Sequence, residues 1–98
     1  MIYLEAVAAE IRDAVPSGAL PPEDTTGLFL VYAVLLLAKG EDVTGEDVHN
    51  AWVAWAVASG KRHESMVPYA DLPPETKAED SPYAQAIRSM AKRHATAS

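Results

Sequence analysis

The chain has no cysteine among its 98 residues. Disulfides and thiolate metal sites are therefore excluded, and a reducing cytoplasm is the expected compartment. Basic residues are scarce, eight Lys and Arg against fourteen Asp and Glu, for a formal charge of −6. The shortage is uneven: residues 1–60 hold nine acids and two bases, residues 61–98 five acids and six bases. Duplex DNA repels an acidic surface, so general nucleic-acid binding is not expected. A small anionic ligand stays admissible, because only the field at its own site matters. The most apolar segment, LFLVYAVLLLA at 28–38, falls well short of the ~20 residues of a membrane helix. It reads instead as a helix buried on nearly all sides. The N-terminus lacks the basic start of a signal peptide. No GxxxxGK[ST] loop and no nucleophilic serine elbow occur, so no enzyme is expected. The three histidines lack metal-ligand spacing, so neither metal nor cofactor is expected.

What is present fits one small helical domain spanning 1–98. Leu4, Val7, Ala8, Ile11 and Val15 share one stripe of a first helix over 2–14, which Pro16 ends. Pro21 and Pro22 make an extended connector. Asp24 or Thr25 caps a second helix that stops at Gly40. Thr44 and Asp47 form a capping box for a third, ending near Gly60. A short turn starts at Leu72-Pro73-Pro74, and a last helix follows Pro82 and runs to about Arg93. Residues 96–98 are expected to fray. The expected class is all-α, a compact bundle of four to five helices, with room for a very short hairpin at 62–67.

His49, Trp52 and Trp55 recur at three-residue spacing and share a helix face. Either tryptophan alone reads more readily as core, but two such rings seldom both fit so small a core. A half-exposed indole is a stacking platform for a nucleobase. Lys61-Arg62-His63 follows directly. It is either a solvated turn at the negative end of the helix or a phosphate grip beside the aromatic face. Arg88 is a further candidate cation. Tyr69 reads as core with its hydroxyl at the rim, or as a second stacking ring. The candidate ligand residues are thus Trp52, Trp55, Lys61, Arg62, His63, Tyr69 and Arg88.

The order His49–Trp52 on a helix, Gly60 at its end, then Met66-Val67-Pro68-Tyr69, Leu72-Pro73, Glu75, Lys77 and Asp80 resembles the repeat of ryanodine receptors, the RyR domain. The motif-bearing part spans 44–95. The loop 61–65 is shorter than the hairpin usual in that family. The resemblance implies a small free-standing domain of phage or actinobacterial type in a bacterial cytoplasm. It implies that His49 packs and bonds a loop. It further implies binding, without catalysis, of a nucleotide-derived signal such as a cyclic nucleotide or an ADP-ribose-type molecule, with a phage sponge for a host immune messenger as one use. A single copy would regain the tandem pairing of the channels as a homodimer. The alternative reading is a protein-interaction module using the aromatic face and the acidic N-terminal half.

Overall fold

The apolar stripe of the first segment forms α1 (Tyr3–Ala14), which buries Val7, Ala8 and Ile11. Its first turn is closed by the Glu5 carboxylate, which accepts the Ile2 N–H at 3.0 Å. Val15 is extended ahead of Pro16, as the proline ring demands, and a single 3-10 turn at Ser17–Ala19 leads into the connector. The structure, a computed structural model, describes residues 2–97.

Asp24 starts α2 (Thr26–Lys39) by accepting both the backbone N–H of Thr26 at 3.0 Å and its hydroxyl at 2.7 Å. Gly40 ends it with φ +57°, a left-handed conformation that side chains resist. After a 3-10 turn at Gly40–Asp42 comes α3 (Gly45–Ala58). Its capping box is formed as expected: the Asp47 N–H donates to the Thr44 hydroxyl, and the Thr44 N–H to the Asp47 carboxylate. Asp47 also meets Lys39 at 2.8 Å, tying the end of α2 to the start of α3. A loop then leads through a 3-10 turn at Tyr69–Asp71 to the one-turn α4 (Pro74–Ala78) and to α5 (Ser81–Ala97).

The fold is therefore all-α, a bundle in which α2 packs against α1, α3 and α5. Leu28, Phe29, Tyr32, Ala33 and Leu36 form its buried side. They meet Val7, Ile11, Val48, Ala84, Ile87 and Met90 from the other helices. Burying a side chain of the Leu, Ile or Phe class stabilises a fold by ~1.5–3 kcal/mol, so this cluster holds the bundle. The alanines of α5, Ala84, Ala86 and Ala91, let its backbone come close.

Three expectations are corrected. The helix α2 is not buried on nearly all sides: Val34 is 52% and Leu37 53% exposed, and Leu35 is half-buried. Three neighbours cover only part of its circumference, and its apolar outer face meets solvent. No hairpin forms at 62–67 and no strand occurs among the described residues; the loop backbone bonds instead to the His49 and His63 rings. The last helix continues to Ala97, where the Thr96 hydroxyl bonds back to the carbonyls of Lys92 and Arg93. Of the segment expected to fray, Ser98 lies outside the described residues.

Candidate functional site

His49 sits in the second turn of α3 and is 3% exposed. A carbonyl only accepts, so the bond of 2.7 Å to Val67 fixes the proton on Nε2. That bond pins the loop after α3 back onto the helix that precedes it. The imidazole lies between two rings, Trp52 at 6.0 Å and 28° and Tyr69 at 6.0 Å and 51°. Tyr69 in turn fills the space beside Gly45, where a Cβ would stand 2.9 Å from its hydroxyl oxygen. A larger residue at position 45 would make the tip of the Tyr69 ring give way. Lys77 covers the Tyr69 ring, 5.2 Å from its centroid.

On the other side of Trp52 the loop presents His63, edge-on at 5.6 Å and 87°. The His63 ring accepts the Ser65 N–H through Nδ1, which keeps the lip of the loop turned in. One turn along α3, Trp55 carries the Lys61 ammonium 4.9 Å over its ring. Lys61 is committed to Glu23 of the connector at 2.8 Å. Opposite stands the start of α5, with Asp80, Pro82 and Tyr83. The Tyr83 hydroxyl donates to the Ala19 carbonyl at 2.6 Å, and so joins α5 to the connector.

Between these walls lies a cleft of about 460 Å³, lined by Trp52, Trp55, Tyr83, His49 and His63, with Glu23, Glu79 and Asp80 as its carboxylates. No lysine or arginine lines it. Burial pushes the Asp80 carboxyl up to about 6, with His49 pulling it down and Glu79 pushing it further up. Among the described residues no donor reaches the Asp80 carboxylate, so its acceptor capacity is turned to the cleft. Among the described residues, too, no cluster of His, Asp and Glu is arranged to hold a metal ion.

Of the residues singled out in the sequence, Trp52, Trp55 and His63 come together in the cleft. Both indoles are half-buried, each one wall of the core and one wall of the cleft. Lys61 stands at the rim. Arg62 does not join them: its guanidinium donates to the Lys61 carbonyl at 3.1 Å and lies with Val57, Glu64 and Met66 on a separate shallow surface. Tyr69 lies behind His49, outside the lining, as packing. Arg88 donates to the Val43 carbonyl at 2.7 Å and fastens α5 to the turn before α3. Glu23, Glu79, Asp80 and Tyr83 escaped the sequence reading because helix-start acids are accounted for by capping. Nothing in the sequence separates Asp80 from an ordinary helix-start acid.

The raised Asp80 value has a stability consequence. Its native carboxyl ionises less readily than the unfolded one, so ionisation costs folding free energy as pH rises through about 4 to 6. Asp80→Asn is therefore expected to stabilise the fold near neutral pH by ~1 kcal/mol, a figure discounted for partial solvation. The gain should vanish below about pH 4, where both versions are neutral. Paired thermal melts across this range measure it, and an Asn variant less stable than the parent at neutral pH would refute the assignment.

No curated protein and no solved structure matches the chain. Residues 2–92 match a family described as Domain of unknown function (DUF7701). The match runs from the start of α1 to within α5 and takes in every wall of the cleft. The chain belongs to the DUF7701 family.

Proposed function

We propose that this protein binds a small planar molecule of nucleobase type in the cleft between α3 and the start of α5, and holds it without transforming it. The observation behind this is the pair of half-buried indoles, Trp52 and Trp55, facing an opening of about 460 Å³. That volume lies within the usual range of small-ligand sites, ~300–1,000 Å³. Aromatic stacking is worth ~1–3 kcal/mol per base and tolerates any base. The resemblance to the RyR domain, with its nucleotide-derived ligands, supports the same class. A phosphate carried by the ligand is expected toward Lys61 at the rim, away from the half-buried Asp80.

The direct test is a thermal-shift screen of nucleosides and nucleotides, followed by calorimetric titration of the best binder. Trp55→Ala is expected to weaken that binder by ~1–3 kcal/mol while the bundle still folds. A ligand held equally well by Trp55→Ala would place its site elsewhere.

A second reading rests on the apolar outer face of α2, where Val34 and Leu37 are each more than half exposed. This face suits pairing of two copies about a two-fold axis. Light scattering at micromolar concentration should then give a dimer, and Leu37→Asp a folded monomer. A parent that scatters as a monomer throughout removes this reading.

A further inference from the structure

The cleft has a sign. Its carboxylates, Glu23, Glu79 and Asp80, face no lysine or arginine within the lining. Lys61 pairs with Glu23 at the rim, at 2.8 Å, which leaves the half-buried Asp80 and the exposed Glu79 beside it. No donor of the described chain satisfies Asp80. The His49 Nε2 is spent on the Val67 carbonyl and the His63 Nδ1 on the Ser65 N–H, so neither of these ring nitrogens is left to bond the carboxylates. The facing wall consists of indoles, whose ring faces attract cations. Lys61 already uses Trp55 in this way, 4.9 Å from the centroid. The cations that could grip an anion, Arg62 and Arg88, are bound to backbone carbonyls outside the lining.

We infer that the cleft selects its ligand by a cationic or N–H-donating edge, an amidinium or the exocyclic amino group of a heteroaromatic ring, which Asp80 and Glu79 receive while the ring lies against Trp52 and Trp55. This rests on the reading of the cleft as a ligand site and adds the chemistry of selection. Carboxylates are natural acceptors for such edges: aspartate and glutamate take the amino group of cytosine in the same manner. A planar amidinium meets a carboxylate through two parallel bonds, the geometry that makes arginine–carboxylate pairs strong. The acidic N-terminal half of the chain, nine acids against two bases over residues 1–60, adds a field that draws cations in.

Three probes of one shape separate the possibilities: benzamidine, benzamide and benzoate share a ring and differ in charge. The chain has two tryptophans, so its two indole N–H resonances report occupancy of the cleft directly. Near pH 7.5, where Asp80 is ionised, benzamidine is expected to shift both resonances. It should bind about tenfold more tightly than benzamide, the order of one charge-assisted contact, and benzoate more weakly still. Asp80→Asn should remove most of the benzamidine advantage and leave benzamide within about twofold, since the amide keeps shape and hydrogen bonding but not charge. If benzoate shifts the indoles as tightly as benzamidine, the selection rule is wrong and the cleft remains a ligand site. If none of the three moves either resonance at roughly 10 mM, a range that reaches even millimolar affinities, the cleft is not a ligand site and the inference falls with it.

Discussion

The hydrogen bond from His49 to Val67 is the constraint on which the rest of the site depends. A buried imidazole must be satisfied, and leaving it or its carbonyl partner unpaired would cost ~1–3 kcal/mol. Here one bond of 2.7 Å satisfies both and folds the loop onto α3. Everything beyond the helices follows from that placement. Tyr69 reaches back to pack on the imidazole and against Gly45. The chain segment before Val67 brings His63 edge-on to Trp52 and forms one lip of the cleft. The segment after it delivers α4 and the start of α5, with Glu79 and Asp80, to the opposite wall.

The cleft is thus made from four pieces of chain that no single element holds together. The bundle of α1, α2 and α5 supplies a floor through Leu28 and Tyr83. Helix α3 supplies the indoles, the connector Glu23 and Thr25, and the loop its lip. A half-buried tryptophan is a compromise, with one side of the ring stabilising the core and the other left for a partner. The carboxylates are a second compromise. Asp80 is held where its ionised form is disfavoured, and no donor of the described chain bonds to its carboxylate. Such uncompensated features gather at functional sites more often than elsewhere, which is why the two together direct attention to this wall.

The helices were legible in the sequence because their signals are local. The stripe of α1, the Thr44–Asp47 box and the glycine at position 40 each act within a turn or two of chain, and each appears as read. The packed, loop-bonding role that the resemblance implied for His49 is also what the geometry gives it. What could not be read is set by long-range neighbours. The outer face of α2 looks the same in sequence whether or not a fourth helix covers it. Lys61, Arg62 and His63 are adjacent in the chain, yet one bends to Glu23, one to a backbone carbonyl and one to an indole. The three side chains of the basic turn therefore point to three different partners. Asp80 resembled an ordinary helix-start acid until α5 and α3 were seen to face each other.

The cleft depends most directly on the hydrogen bond of His49. Long-range nitrogen–proton correlation spectra of the histidine rings, taken across neutral pH, read this without altering the protein. The structure requires the His49 ring to carry its proton on Nε2, with that proton slow to exchange and close to Val67. A His49 ring that averages between tautomers, or holds its proton on Nδ1 alone, would mean that the loop is not pinned and that the cleft is not formed as described.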